Sequence, residues 1–330
     1  MPDKFDQIFQ SWDTANFESK QSQVRLDLHP YRYKMLRSLD FYDYARKEIE
    51  SAPNISWVHD DIVDVQENGI VAIEGATGNY SSRHIFDSRI PPAFGNEMDS
   101  YIRLLQHFKG WYIQTDDNVF DPSKFLMMDF RLQWKDTTSF TYVLPISPRK
   151  ALVEFTLFTP ALISDDEYDT MLRQYVDEVL KIDRYNIDEV ETGVIPMSNY
   201  PFHKHNTRCI TKIGTAGGWV KPSSGYSFKN SDRFSKKIIE NIKRGVRPSA
   251  GIALGRFRKY DSLFLDVLTN RNDLGASMFT AMYTQNSPQN ILKFLDEETT
   301  VLEDLTIMRA FDQSLFMRTL FKQLKRAILP

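Results

Sequence analysis

The pattern of hydrophobic and polar positions predicts a block of strands in the middle of the chain. Within residues 105–158, four runs are rich in β-branched and aromatic residues: 110–114, 126–134, 140–145 and 151–158. Short connections that contain Asp, Asn, Pro, Ser or Lys separate these runs, as between strands joined by tight turns. We therefore predict an antiparallel sheet, and a further strand at 189–196 is expected to return to it.

Helical periodicity predicts the remaining large elements. The segments are 39–49, a helix that begins at Ser164, a helix from about Gly225 to Gly245, and the helical region 258–328. Ser164 and Glu167 have the spacing of a capping box. The last region is expected to break at 270–273 and at Ser287-Pro288, where Ser is the N-cap and Pro the first helical residue.

The beginning of the chain gives weaker signals. The first thirty residues are polar and aromatic, so no strand is predicted there, and they contain no G-x-G-x-x-G turn. Short strands are predicted at 55–59, 69–73 and 84–87. The pair Asp129 and Arg131 is either an inward ion pair or a solvated edge pair, without an assigned chemical role.

Composition excludes several classes of protein. The 41 basic and 44 acidic residues are well mixed and form no basic stripe, so no nucleic-acid partner is expected. Cys209 is the only cysteine, which excludes disulfides within the chain and makes a zinc site implausible, so no metal is expected. No signal peptide and no membrane span is found, and a reducing cytoplasm fits. Aromatic residues make up 13% of the chain, enough for a large core or a long apolar pocket.

A glycine-rich stretch at 208–226 is the first candidate for ligand binding. A β-branched run ends at Gly214, a loop follows, and then a helical pattern begins. Four of the 14 glycines lie within 214–225. Strand, glycine turn and helix together bring backbone N–H groups against a ligand. A connection that needs glycine only for packing is an equally good interpretation of the glycines alone.

Glu154 is the second candidate, because it is a single acid in the apolar run 151–157. On a strand, Leu152, Glu154 and Thr156 share one face, and Val153 and Phe155 lie on the other. The residues alone leave two alternatives open: a glutamate on a solvated face, or a buried acid with a raised pKa.

Both candidates resemble motifs of the lycopene cyclase family, a branch of the FAD-dependent monooxygenases and geranylgeranyl reductases. Gly214, Thr215, Ala216, Gly217, Pro222 and Gly225 match its second flavin-contacting motif. Thr215 stands where the wider group has an aspartate, which favours the cyclase branch. Segment 151–157 resembles the cyclase motif Phe-Leu-Glu-Glu-Thr, with Glu154 at the essential first glutamate. Phe155 replaces the second acid, so the resemblance leaves a single carboxyl at this site.

The resemblance implies a mixed α/β (α+β) fold. Residues 1–104 would form a truncated FAD-binding, Rossmann-like domain that lacks its first βαβ unit, and 105–206 an inserted antiparallel-sheet substrate domain. Residues 207–250 would return to the FAD-binding domain, and 251–330 would form a helical tail or lid. The chain thus resembles a cyclase whose opening unit is missing.

The resemblance also implies a function. It predicts redox-neutral closure of a β-ionone-type ring on lycopene or a similar carotenoid, with Glu154 as general acid. The cofactor would be reduced FAD, with NAD(P)H as electron source. Its contacts would be Gly214, Thr215, Ala216, Gly217, Gly218, Pro222, Ser224, Gly225, Tyr226 and Arg37. A cytoplasmic protein peripheral to the inner face of the membrane is expected, with other carotenoid enzymes as potential partners. The alternatives are another FAD-dependent reductase or monooxygenase, or a truncated non-catalytic homologue.

Overall fold

The computed structural model describes residues 9–96, 100–252 and 255–328. Four short strands come first: β1 (Phe9–Trp12), β2 (Thr14–Glu18), β3 (Gln23–Asp27) and β4 (Tyr33–Leu36). The prediction that the first thirty residues contain no strand is therefore wrong. Only Ala15 and Phe17 carry the alternation of β2 into the core, and a run this short and polar gives little periodic signal. Helix α1 (Ser38–Glu50) follows and confirms the helix predicted at 39–49.

A small antiparallel sheet comes next, made of β5 (Ile62–Asn68), β6 (Ile70–Gly75) and β7 (Asn79–Ser82). Strand β8 (Ile85–Asp87) and the short helix α2 (Pro92–Asn96) complete this part. The strands predicted at 69–73 and 84–87 are confirmed, but the strand predicted at 55–59 does not form. That segment has β-branched and aromatic residues, but no neighbouring strand pairs with it.

The central sheet confirms the predicted strand block. Its strands from this block are β9 (Leu104–Gln114), β10 (Phe125–Asp129), β11 (Thr138–Ser147), β12 (Lys150–Thr159) and β13 (Asn186–Met197). Together with β2 and β3 they form a seven-stranded sheet in the order β13-β9-β12-β11-β10-β2-β3. Neighbours pair antiparallel except β10 and β2, which are parallel. The sheet as a whole is mixed, and residues 14–27 extend it.

Helix α3 (Asp165–Gln174) covers one face of this sheet, and a π-helical turn continues it to Leu180. The predicted capping box is present, because the Ser164 hydroxyl accepts from the Glu167 amide and the Glu167 carboxylate accepts from the Ser164 amide. Val153, Phe155 and Leu157 of β12 point to this side and are buried against the helix.

Six helices make up the C-terminal part: α4 (Phe228–Lys243), α5 (Phe257–Asn270), α6 (Gly275–Gln285), α7 (Pro288–Leu295), α8 (Val301–Met308) and α9 (Gln313–Ile328). Apolar side chains of α5, α6, α7 and α9 pack against the opposite face of the sheet, whereas α4 packs against Trp219 in a separate small cluster. Both predicted breaks are confirmed, and Ser287 caps α7 through the Asn290 amide. Asn272 ties the region to the sheet, since its side chain binds the Thr138 amide and the Phe158 carbonyl, each at 2.7 Å. None of the helices in the described ranges is long and apolar enough to cross a bilayer.

Strand β14 (Ile210–Lys212) returns to the N-terminal part and pairs parallel with β8. The buried Asp87 carboxylate accepts from Lys212 at 2.8 Å and from Arg89. Its pKa is lowered to about 2: burial acts against the shift, and the hydrogen bonds from Arg89 and Lys212 outweigh it. Asp87 therefore holds the parallel pair together.

Asp129 and Arg131 form an ion pair with the carboxylate directed inward. The Asp129 side chain is 0% exposed, whereas Arg131 is partly exposed. Tyr175 directly follows α3, and its hydroxyl donates a hydrogen bond to the Asp129 carboxylate at 2.7 Å. This hydrogen bond joins the end of β10 to the helix that covers the sheet.

The first test concerns this hydrogen bond. We expect Tyr175→Phe to lower the free energy of unfolding by about 1.5–3 kcal/mol, because the buried carboxylate loses a charge-assisted donor. Urea denaturation followed by circular dichroism measures the change. Tyr185→Phe makes the same substitution at a partly exposed side chain of the same cluster and should cost less than about 0.5 kcal/mol. Equal effects of the two variants would contradict the role of Tyr175.

Candidate functional site

Glu154 lies in the middle of β12, on the sheet face opposite α3. Leu152 shares this face and packs against the C-terminal helical region, as the predicted alternation requires. In the ladder, Glu154 is opposite Tyr142 of β11 on one side and Gly110 of β9 on the other. Its carboxylate accepts a hydrogen bond from the Thr156 hydroxyl at 2.9 Å.

A second carboxyl lies beside the first. Gly110 is paired with Glu154 in β12 and with Glu191 in β13, so the two glutamates flank a residue without a side chain. Both side chains lie on the same face of the sheet, and each carboxyl acts on the pKa of the other. The expectation of a single carboxyl at this site is therefore wrong. Sequence reasoning missed Glu191 because it lies on a distant strand; the one local signal was a glycine inside a strand, which often marks a close approach.

Burial and the neighbouring acid both raise the pKa of Glu154, to about 8. Loss of hydration is the larger cause, the charge of Glu191 adds to it, and the Thr156 hydroxyl opposes it. Burial also raises the pKa of Glu191, while hydrogen bonds from Glu154 and Tyr112 oppose the shift. Glu154 is half-buried, so of the two alternatives that the sequence left open the structure favours the acid with a raised pKa over one on a fully solvated face.

Tyrosine side chains form the wall next to Glu154. The Tyr226 hydroxyl lies near those of Tyr33 and Tyr142, and burial raises the pKa of all three. Tyr226 is still 38% exposed. Glu154 raises the pKa of each of these tyrosines as well, so its neighbours on this side are neutral phenol groups.

The glycine loop carries Tyr226 to this place. It starts with a tight turn at Gly214–Gly217 and ends at Gly225, which has φ +71°. A side chain at Gly225 would overlap the Gln106 amide and press on Ile195, both on the Glu154 face of the sheet. Glycine is required here for both conformation and contact. Two groups of predicted site residues, Glu154 and the pair Gly225-Tyr226, thus come together.

The other side of the loop faces a cleft of about 740 Å³. Thr215, Gly218 and Pro222 line it, together with side chains from α4 and α5. Its volume is within the usual range for cofactor and ligand pockets. For the remaining predicted contacts of the loop, the structure gives the local geometry. Gly214 has φ +59°, and Ala216 and Gly217 are buried in the turn. The Ser224 amide donates a hydrogen bond to the Lys221 carbonyl.

Comparison with known proteins agrees with these motifs. A family model described as lycopene cyclase protein matches residues 6–322. The chain belongs to this family. No curated protein matches it.

Solved structures share the fold of this cyclase-family chain at low sequence identity. One is a geranylgeranyl bacteriochlorophyll reductase-like protein from Thermoplasma acidophilum, with 14% identity, a TM-score of 0.57, and coverage of 95% of this chain and 83% of that one. A flavoprotein/dehydrogenase from Cytophaga hutchinsonii has 13% identity, a TM-score of 0.57 and coverage of 93% and 84%. The flavin-dependent brominase Bmp2 has 13% identity, a TM-score of 0.56 and coverage of 98% and 85%. The mixed α/β fold of the cyclase-family chain is therefore the fold of flavoproteins.

Arg37 occupies a different place from the loop residues. It precedes α1 and forms an ion pair with Glu189 of β13. Its guanidinium lies 5.0 Å from the centre of the Tyr112 ring. Glu189 lies two residues from Glu191 on β13. In this cyclase-family chain, Arg37 is therefore at the edge of the sheet face that carries Glu154.

The loop of this family member has features that fit a flavin. The Gln106 Oε1, which packs against Gly225, is buried without a hydrogen-bond partner. Ser227, the N-cap of the 16-residue helix α4, makes no side-chain hydrogen bond to the helix. An uncapped helix N-terminus attracts electron-rich groups. A bound ring system could donate an N–H to the Gln106 oxygen and place a carbonyl oxygen at the helix N-terminus.

A buried ion pair fixes the loop to the helical region. The Lys221 ammonium is 1% exposed and donates to Asp261 of α5 at 2.9 Å and 3.2 Å. The Ser223 hydroxyl donates to the same carboxylate at 2.6 Å. Burial raises the pKa of Asp261, while Lys221 opposes the shift. The position of the loop in this cyclase-family protein therefore depends on one paired lysine.

The second test removes that lysine. We expect Lys221→Met to lower the free energy of unfolding by about 3–5 kcal/mol, because Asp261 would remain buried without its counter-ion. Urea denaturation gives the value. The double variant Lys221→Met/Asp261→Leu removes both buried charges, and Glu297, the second partner of Lys221 at 3.5 Å, keeps its ion pair with Arg233. The double variant should therefore recover most of the loss. A double variant no more stable than Lys221→Met would contradict this account.

Proposed function

We propose that this chain is a flavin-dependent enzyme that closes a β-ionone-type ring at the end of a linear carotenoid, lycopene or a similar polyene. The observation that carries the proposal is Glu154: a carboxyl with a pKa of about 8, beside the glycine loop, in a chain of the lycopene cyclase family. Such a group still holds its proton at neutral pH and can deliver it to a carbon–carbon double bond.

The proposed reaction is redox-neutral. The O–H bond of Glu154 breaks and a C–H bond forms at the terminal double bond, which leaves a carbocation. A second double bond then supplies the electron pair for the ring C–C bond, and the cation moves to the ring. A neighbouring C–H bond breaks, its electrons form the new double bond, and the proton returns to a carboxylate. Protons and electrons balance, and the product is an isomer of the substrate.

The side chains around Glu154 suit a carbocation. Tyr33, Tyr142 and Tyr226 offer aromatic faces and neutral hydroxyls, and no ammonium or guanidinium is among the groups that shift the pKa of Glu154. A desolvated cation over an aromatic face gains about 2 kcal/mol.

The residues that would hold FAD are those of the loop and its surroundings. We propose contacts from Gly214, Thr215, Ala216, Gly217, Gly218, Pro222, Ser224, Gly225 and Tyr226, with Arg37 at the edge of the site. Reduced flavin would supply negative charge next to the developing cation. NAD(P)H is the proposed source of its electrons.

An apolar substrate of this size resides in membranes, so we propose peripheral membrane attachment and handover from other carotenoid enzymes. Helices α8 and α9 carry exposed apolar side chains, among them Leu302, Leu305 and Phe321. Apolar helix faces of this kind are used for binding in the interface of a bilayer.

The third test measures ring closure in bacteria that accumulate lycopene. We expect the wild-type chain to convert lycopene into a product of unchanged mass with cyclic end groups, and Glu154→Gln to lower conversion at least about 100-fold, the usual range for a lost general acid. Pigments are separated by chromatography and identified by mass spectrometry. A mass gain of two hydrogens would indicate a reductase, and a gain of oxygen a monooxygenase.

Asp188→Asn is the matched control for this test. Asp188 lies on β13, is exposed, and pairs with Lys150 at 2.6 Å, so the variant removes a carboxylate without touching the site. It should convert lycopene like the wild type. Unchanged lycopene from well-expressed wild-type protein, or full activity of Glu154→Gln, would contradict the proposal.

The fourth test is the pH dependence of the purified enzyme. A general acid must be protonated, and the raised pKa of Glu154 is about 8. Turnover should therefore be retained below pH 8 and fall about tenfold for each pH unit above it. Initial rates with lycopene in detergent micelles give the profile. Turnover that rises through pH 8 would show that a deprotonated group is required instead.

A further inference from the structure

The ladder places two carboxyls on one row of the sheet. Glu154 of β12, Gly110 of β9 and Glu191 of β13 are neighbours across three strands. A Cβ built on Gly110 would lie 2.9 Å from Leu152 Cδ1 and 3.1 Å from Glu191 Cγ, both below or at the limit of normal contact. The Glu191 side chain therefore uses the space above the glycine, which lies between it and Glu154.

We propose that Glu154 and Glu191 act as one proton-sharing pair, in which Glu191 is the positioning residue that keeps the shared proton on Glu154. This inference rests on the proposed function, because it assigns a partner to the proposed general acid. The sequence motif does not contain this partner. It comes from the register of β13 against β9.

Two carboxylates in hydrogen-bond contact cannot readily carry two negative charges, so the pair retains one proton over a wide pH range. Other ionisable groups near the pair do not remove this constraint. They are Tyr33, Tyr112, Tyr142, Tyr226, Arg37 and Glu189. The tyrosines are neutral, and Arg37 is already paired with Glu189. Glu154, Arg37 and Tyr112 favour ionised Glu191 while the charge of Glu189 opposes it, and the first three direct the proton toward Glu154.

The same arrangement can assist the proposed reaction. When the O–H bond of Glu154 breaks and the C–H bond of the substrate forms, the pair carries two negative charges beside a new carbocation. The cation offsets the repulsion that kept the proton in place. Either carboxylate can then accept the proton that the ring loses, and the pair returns to its original state with one proton.

The experiment is an infrared pH titration of the purified full chain, without substrate. The C=O stretch of a protonated carboxyl is followed with pH, and the band that is absent in Glu154→Gln is assigned to Glu154. In Glu191→Gln the hydrogen bond can remain but the charge is lost. We expect the midpoint of the Glu154 band to fall by about one pH unit or more, the coupling that defines interacting sites. Asp188→Asn should leave the midpoint unchanged.

Two further variants separate proton sharing from a merely structural role. Glu191→Asp keeps the charge and should retain most of the wild-type midpoint. Gly110→Ala keeps both carboxyls but fills the space between them, so its midpoint should move in the same direction as in Glu191→Gln. If Gly110→Ala does not fold, comparison of Glu191→Gln with Glu191→Asp still distinguishes proton sharing from a structural role. An unchanged midpoint in Glu191→Gln would overturn the proposal.

The activity profile provides a second readout. In Glu191→Gln, the alkaline decline in turnover should begin about one pH unit lower, so turnover above pH 8 should be about tenfold below wild type. If the wild type forms no cyclic product but the infrared midpoint shifts, the proposed function fails and the pair remains. If it cyclises lycopene and the midpoint does not shift, the pair fails and the proposed function remains.

Discussion

Burial of both faces of the central sheet is the constraint on which the rest of the structure depends. Side chains alternate between the two faces along β12. Phe155 and every second residue from it point toward α3, whereas Leu152, Glu154 and Thr156 point to the opposite side. Covering that opposite side with the C-terminal helices and the glycine loop removes much of the water around Glu154. The raised pKa of the carboxyl is thus a consequence of how the sheet is covered on both faces.

The cover over Glu154 is held by polar contacts as well as apolar ones. Asn272 attaches the helical region to β11 and β12, and Lys221 attaches the loop to α5. A buried ion pair adds little net stability over an apolar pair, but it fixes one arrangement because each charge must find its partner. This specificity matters at a loop that keeps Tyr226 near Tyr142. The ion pair and the tyrosine contact therefore serve one purpose, the position of the loop.

The sequence predicted the elements that carry strong local patterns. The capping box at Ser164, the Ser287-Pro288 break and the alternation of β12 all follow from residues close together in the chain. Strand β2 was not predicted because a five-residue strand with only two buried apolar side chains gives little periodic signal. The strand predicted at 55–59 is wrong for the opposite reason: the segment has a strong local strand propensity, but no strand forms without a pairing partner. Glu191 could not be found because only the register of β13 against β9 places it near Glu154.

The same register explains why a second carboxyl is useful at position 191. Residue 155 follows Glu154 directly and therefore points to the other face, where Phe155 is completely buried against α3. An acid at that position in this fold would be surrounded by the apolar cluster and could not approach the Glu154 carboxyl on the same side of the sheet. Glu191 lies on the Glu154 face, and Gly110 opens the path between the two. Phenylalanine at position 155 is thus compatible with a two-carboxyl site, because residue 155 faces α3 and residue 191 lies on the Glu154 face of the sheet.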